Sequence, residues 1–106
     1  MSTPTDDNPD LLSVVAYMRA AEGRTDQLRA ALESLIEPTR QEEGCINYEL
    51  HQGVEDPRLF TFYENWLSDE HLDTHLSTSH LVEFADKAGD LLDQSGPTVI
   101  RVRRIA

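Results

Sequence analysis

The chain has 106 residues, of which 39% are hydrophobic and 27% charged, with a formal net charge of −11 and one cysteine. This length and composition predict one ordinary soluble domain, and a lone cysteine excludes an intramolecular disulfide and favours a reducing cytoplasm. The excess of acidic groups repels phosphate backbones and anionic lipid headgroups, so we expect binding neither to nucleic acid nor to a membrane.

The chain begins with a polar, acidic segment. Residues 1–10 contain two prolines and no apolar run, so we predict a disordered tail and not a signal peptide. No later stretch approaches the roughly 20 apolar residues that span a membrane, which leaves the cytoplasm as the expected location. From Leu12 to Ala20 the side chains alternate between two faces, which predicts a strand.

A helix is predicted after this strand. Thr25 can cap its first turn, and the apolar residues that follow recur at helical spacing, in Leu28, Ala31, Leu32, Leu35 and Ile36. Pro38 is expected to kink or end the helix, because proline lacks the backbone donor and its ring clashes with the preceding turn.

Two strands follow, Cys45 to His51 and Arg58–Trp66, and the loop between them is rich in turn residues. Two neighbouring strands with a short connection predict an antiparallel hairpin. Alternation places one set of side chains of the second strand on a common face, namely Phe60, Phe62, Glu64 and Trp66.

Two helices and a strand complete the pattern. Ser68 can cap a short helix, and the polar run of residues 77–79 separates it from a longer one whose apolar face comprises Leu81, Phe84, Ala85, Ala88, Leu91 and Leu92. Gly96 and Pro97 end this segment. The alternating stretch from Thr98 to Ile105 predicts a last strand.

The order strand, helix, strand, strand, helices, strand is the βαββαβ pattern of a ferredoxin-like α+β fold, which we assign to residues 11–106 as one domain. One sheet face packs on the helices. The other is predicted to present Val15, Tyr17, Thr61, Tyr63 and Val99, which is too apolar a surface for water. A second copy packed sheet to sheet, as a C2 homodimer, would cover it.

The segment around residues 60–80 concentrates the groups that can do chemistry, since the only tryptophan is followed by three of the four histidines. Trp66 could be the platform for a flat substrate, although its spacing alone favours a core position. His75 lies between two leucines, so it is either a neutral general base in a cavity or a core histidine that bonds to backbone.

Other polar residues support these two. Glu64 shares the face of Trp66 and could be an acid–base partner, but a salt bridge with Arg40 is favoured. Tyr48 could offer its hydroxyl to the same space. His71 and His75 lie four apart on one helix, but no third ligand stands at metal spacing, so no metal site is predicted.

Four segments carry a family likeness: Thr39–His51, Asp56-Pro57, Phe60–Trp66, and His75 with Thr78–Leu81. Together they resemble the antibiotic biosynthesis monooxygenase domain, with the quinol-monooxygenase-like proteins of bacteria nearest, over about residues 11–105. The resemblance implies a dimeric α/β barrel of ferredoxin-like fold, in agreement with the pattern above.

The resemblance also implies an activity, namely oxidation of a small aromatic quinol or polycyclic phenol by O2 without a cofactor. The absence of GxGxxG, GxxxxGK[ST], CxxC and HExxH motifs is compatible with this. Under this hypothesis His75 and Trp66 are catalytic, and the substrate-binding residues are Tyr48, Phe62, Glu64, His80 and Phe84.

Two alternatives stay open because the same fold also hosts haem-degrading enzymes, a sugar-phosphate isomerase and members without known activity. One is a dimer that binds a hydrophobic small molecule without turnover. The other is haem binding or degradation, which ranks lower since the first strand lacks the asparagine of that branch.

Overall fold

The computed structural model describes residues 10–106, so the predicted disordered tail lies outside the described residues except for Asp10. Four strands and four helices follow one another along these described residues. They are β1 Leu12–Arg19, α1 Thr25–Glu33, α2 Ile36–Arg40, β2 Cys45–Gln52, β3 Leu59–Trp66, α3 Asp69–Leu76, α4 Ser79–Leu91 and β4 Thr98–Val102. None of the helices in this part of the chain is long and apolar enough to cross a membrane.

The strands form one antiparallel sheet in the order β2-β3-β1-β4. This is the strand order of the ferredoxin-like fold, and the βαββαβ prediction is confirmed. The two strands at the centre, β1 and β3, are the most regularly alternating segments of the sequence. Their alternation puts an apolar row on the face under the helices, which we call the inner face.

Cross-strand partners define the inner face because paired residues point to the same side of a sheet. Leu12 is paired with Trp66, Val14 with Glu64, and Tyr48 of β2 lies opposite Glu64 on its other side. A row of side chains therefore crosses the sheet from Tyr48 through Glu64 to Val14. Glu64 is the one carboxyl among the paired residues of this face, which is otherwise mostly apolar.

Strand β4 differs from the prediction in length and in facing. It ends at Val102 instead of Ile105, and Val99 is paired with Ala16, which places Val99 on the inner face and not on the outer one. Ile100, paired with Val15, takes the outer position. Aliphatic residues occur at both parities, with Val99 on one face and Ile100 on the other, so alternation could not decide which of them faces the helices.

Pro38 does not end the first helix. Helix α1 ends at Glu33, and Pro38 lies at the third residue of α2. The first backbone N–H groups of a helix have no partner inside the helix, so a proline at this position costs no hydrogen bond.

The predicted caps are right at one helix only. The Ser68 hydroxyl accepts a hydrogen bond from the His71 N–H at 3.3 Å and caps α3 as expected. Thr25 is instead the first residue of α1, and Arg24 occupies the capping position without a side-chain bond.

The loop that leads into β2 is shaped by Gly44, which has a φ of +86°. A Cβ atom at this position would overlap the ring of His71 on α3. Glycine is therefore required twice, for the left-handed backbone and for the close approach of the helix. Through this contact the loop fixes where the N-terminal half of α3 lies.

We expect Gly44→Ala to destabilise the fold by about 3 kcal/mol, since it combines a left-handed alanine with overpacking against His71. Gly23→Ala is the matched control, because Gly23 has a φ of +79° and no neighbour within 4 Å of an added Cβ. It should cost only about 1 kcal/mol. Urea unfolding measures the free energy of unfolding of both variants, and equal losses would show that the His71 contact has no effect.

Candidate active site

A cavity of about 460 Å³ lies between the inner face of the sheet and the helices. This volume is in the range of sites that enclose small organic ligands. The wall is mostly apolar and includes side chains from both layers, among them Val14, Ala16, Met18, Leu32, Leu72, Leu81, Ala88 and Leu92. Val99 belongs to the wall and is 51% exposed, so the cavity reaches solvent beside β4.

Polar and aromatic groups converge at one end of the cavity. Tyr48, Glu64 and His75 all line it. The Tyr48 ring lies 4.8 Å from that of Phe62 and 5.5 Å from that of His75, measured between ring centroids. Four of the residues expected at a substrate site from sequence are thus brought together, and Phe84 joins the same wall from α4.

His75 is buried on α3 and its Nδ1 lies 2.8 Å from Oε2 of Glu42. Burial lowers the pKa of His75 below its usual value, and the nearby Glu42 carboxylate only partly offsets this. The neutral imidazole then donates its Nδ1 proton to the carboxylate, which leaves a lone pair on Nε2. His75 is therefore arranged as a base, and Glu42 selects its tautomer.

Glu42 serves a second histidine, since its Oε2 also lies 2.7 Å from Nε2 of His80. The Thr78 hydroxyl, 3.2 Å from the same nitrogen, donates its own proton to the His75 carbonyl at 2.7 Å. His80 must therefore donate from Nε2. His80 does not line the cavity; it borders Glu42 from the side of the solvent.

Sequence reasoning did not single out Glu42. It lies in the loop before β2, 33 residues from His75 and 38 from His80, so no local spacing links the three. Only the closure of α3 and α4 over the end of β2 brings them together.

The ligand atoms of Glu42, His75 and His80 lie within 4.8 Å of one another, so these are the residues in the described part of the chain that could hold a metal ion. Two imidazoles and a carboxylate are ligands that zinc and iron accept. The N–H···O bonds from both imidazoles to Glu42 already account for this convergence, so it does not require an ion. The sequence places His71 and His75 at a spacing that could clamp a metal. The two do not converge, because His71 Nδ1 lies 2.8 Å from the Ser68 hydroxyl instead.

Glu64 is buried and accepts a hydrogen bond from the indole Nε1 of Trp66 at 2.8 Å. Burial raises the pKa of Glu64 to about 7, the Trp66 bond opposes this rise, and the negative charge of Glu42 adds to it. The prediction of a salt bridge between Glu64 and Arg40 is wrong, because the Arg40 guanidinium donates to the Tyr48 carbonyl. Glu64 is therefore a carboxyl that can be neutral near pH 7.

Trp66 is completely buried and is not part of the cavity wall. Its ring packs against His75, with centroids 4.6 Å apart, and its N–H holds Glu64. The aromatic surfaces that face the cavity are those of Tyr48, Phe62 and Phe84. Trp66, which was expected to be the platform for the substrate, thus packs against His75 and Glu64 and does not line the cavity.

Comparison with protein families and with curated protein sequences gives a consistent result. The family described as "Antibiotic biosynthesis monooxygenase" matches residues 11–87. A Synechocystis protein named "Uncharacterized protein sll1783" is 31% identical over 97 residues, and the match covers 92% of this chain but 65% of that protein. "Putative monooxygenase Rv0793" of Mycobacterium tuberculosis is 32% identical over 81 residues, which cover 76% of this chain and 79% of the relative.

Solved structures resemble the whole domain. PA3566 from Pseudomonas aeruginosa superimposes with a TM-score of 0.86 at 33% identity, covering 92% of this chain and 96% of that one. A structure titled "Crystal structure of antibiotic biosynthesis monooxygenase" has a TM-score of 0.83 at 28% identity, with coverage of 90% and 99%. The fold and the likeness found in the sequence therefore agree.

The raised pKa of Glu64 makes a prediction for stability. The carboxyl titrates near 7 in the folded chain against an ordinary 4.5, so folding favours its neutral form. The resulting contribution is complete below about pH 4.5 and is lost as the pH rises through 7. Glu64→Gln, which stays neutral, should nearly equal the wild type at pH 4 and exceed its unfolding free energy by up to about 3 kcal/mol at pH 8.

Urea unfolding at the two pH values measures this difference. Glu55→Gln is the control, because it removes the same charge from an exposed loop. Its unfolding free energy relative to the wild type should be the same at both pH values. A gain from Glu64→Gln that does not change with pH would show that the carboxyl is ionised throughout.

Proposed function

Because the chain belongs to the antibiotic biosynthesis monooxygenase family, we propose that it is a monooxygenase that oxidises a small quinol or polycyclic phenol with O2. The observation that carries this proposal is the apolar cavity with a neutral imidazole and a protonatable carboxyl at one end. Such a ring needs little from a protein beyond a dry site, a proton acceptor and a hydrogen bond to the oxygenated intermediate. These chain groups can perform those tasks without a resident cofactor.

In the proposed reaction Nε2 of His75 takes the proton of a phenolic hydroxyl, and Glu42 stabilises the imidazolium that results. The electron-rich phenolate then reduces O2, and a C–O bond forms on the ring. One oxygen atom stays on the ring, the other leaves as water, and the substrate supplies four electrons. A quinol and O2 thus give a hydroxyquinone and water, which balances atoms and electrons.

Glu64 and Tyr48 are assigned to the oxygenated intermediate. A carboxyl with a pKa of about 7 is half protonated near neutral pH, so it can donate a hydrogen bond to a peroxide oxygen and later return as an acceptor. Tyr48 keeps its proton, because burial raises the pKa of its hydroxyl far above the usual value. Trp66 is a positioning residue that holds Glu64 and supports the His75 ring.

We expect His75→Gln to lower kcat for menadiol by about 100-fold or more, because general base catalysis typically contributes that much. Oxygen uptake by metal-free protein measures it. His51→Gln is the matched control, since His51 is exposed on β2 and does not line the cavity. A wild-type rate no higher than buffer with several quinols would count against the proposal.

The second candidate function, a dimer that binds a hydrophobic molecule without turnover, is favoured by the same apolar wall. The two differ in what His75 does. An enzyme whose base is removed loses rate and keeps substrate affinity, whereas a binding protein shows no rate to lose. Haem binding, the third alternative, would give a Soret band when haemin is added.

A homodimer is part of the proposal. The outer face of the sheet exposes a continuous apolar surface from β1, β3 and β4, formed by Val15, Tyr17, Tyr63, Ile100 and Val102. A sheet-to-sheet contact between two copies would remove it from water. A cytoplasmic location, which the single cysteine favours, belongs to the same proposal.

Tyr63→Glu should convert the dimer to a monomer, since it would bury an unpaired charge from each copy in an apolar contact. Sedimentation velocity measures the mass. Val54→Glu is the control, because Val54 is 97% exposed in the loop between β2 and β3. A wild-type protein that sediments as a monomer at micromolar concentration would contradict the dimer.

A further inference from the structure

The charge of the cavity wall bears on which molecules can enter it. Of the residues 10–106, those that line the cavity include two carboxyls, Glu64 and Asp93, and no lysine or arginine. His75 is held neutral by burial. A ligand inside the cavity would therefore find hydrogen-bonding groups but no positive charge.

The two carboxyls lie at opposite ends of an elongated space. Glu64 is paired with Val14 on β1, while the Asp93 N–H bonds to the Arg19 carbonyl at 2.9 Å. Val14 and Arg19 are five residues apart along one strand, which is about 17 Å. Between the ends the wall is apolar, so the space suits a fused-ring body with one polar end at Glu64 and His75.

Arg19 and Arg101, which neighbour residues of the cavity wall, are already engaged in ion pairs. Arg19 donates to Asp56 at 2.8 Å and lies 3.9 Å from Asp93. Arg101 leaves the inner face toward α3, where it contacts Asp73 at 2.7 Å and Asp69 at 3.7 Å. Neither arginine belongs to the cavity wall. An anionic ligand would have to break one of these ion pairs to gain a counter-charge.

We propose that the site selects uncharged, elongated phenols and quinols and rejects ring compounds that carry a carboxylate or a phosphate. This inference rests on the proposed function in taking the cavity as the substrate site. An anion buried without a partner loses several kcal/mol of hydration, and the net charge of −11 repels it on approach. Sugar phosphates are thereby excluded as substrates.

The test compares two probes that share a ring system, 1-naphthol and 1-hydroxy-2-naphthoate, which differ by one carboxylate. Neither needs O2 or turnover, so binding is measured apart from activity. Titration calorimetry on the full chain gives the Kd, and the fluorescence of Trp66, the only tryptophan, reports binding near Glu64. We expect the anion to bind at least about 100-fold more weakly at physiological salt.

Two variants separate the effect of a charge on the cavity wall from the effect of the net charge of the chain. Val99→Arg places a cation on the cavity wall, and it should strengthen binding of the anion at least about 10-fold relative to 1-naphthol. Val54→Arg makes the same change of net charge in an exposed loop and should not. Equal recovery by both would overturn the assignment to the wall, and so would an anion that binds the wild type as tightly as 1-naphthol.

The outcomes also separate this inference from the proposed function. If 1-naphthol binds selectively but no quinol is oxidised, the oxygenase proposal fails and the selectivity stands. If quinols are oxidised and carboxylated quinols react equally well, the selectivity fails alone. If neither probe binds, the cavity is not a ligand site and the inference is overturned.

Discussion

Polar groups on the inner side of this domain must satisfy one another, because the sheet and the helices above it offer them little else. Glu64 meets the indole of Trp66, and His75 meets the carboxylate of Glu42. Each pair uses one hydrogen bond, and both Glu64 and His75 line the cavity. Burial then favours the uncharged form of each group, so it raises the pKa of the Glu64 carboxyl and lowers that of the His75 imidazole.

Those pairs depend on where α3 lies, and that position is fixed from several directions. Gly44 allows His71 to approach the loop, Ser68 caps the helix start, and Glu42 holds His75 at the other end. The loop before β2 thus contacts α3 at both of its ends. A base on a short helix needs such support, because a shift of about 1 Å at the site is enough to reduce catalysis strongly.

Much of the fold could be predicted from the sequence, since β1 and β3 alternate cleanly and α4 has one apolar face. The common face of Glu64 and Trp66 followed from the same alternation and is confirmed. Local pattern could not identify Glu42, whose partners are more than 30 residues away. Nor could it set the facing of Val99, because its strand is apolar on both sides.

The roles expected of Arg40 and Trp66 depended on side-chain direction, which spacing does not determine. Arg40 donates to the Tyr48 carbonyl, and Trp66 lies beneath Glu64 and His75 instead of beside the cavity.

The packing of helix α4 has a consequence for stability. Only Ala88 of this helix is buried, and its Leu81, Phe84 and Ala85 side chains border the cavity. A bound ligand would fill the space between this helix and the sheet and so complete the core. Ligand binding and the melting temperature of the domain are therefore thermodynamically linked.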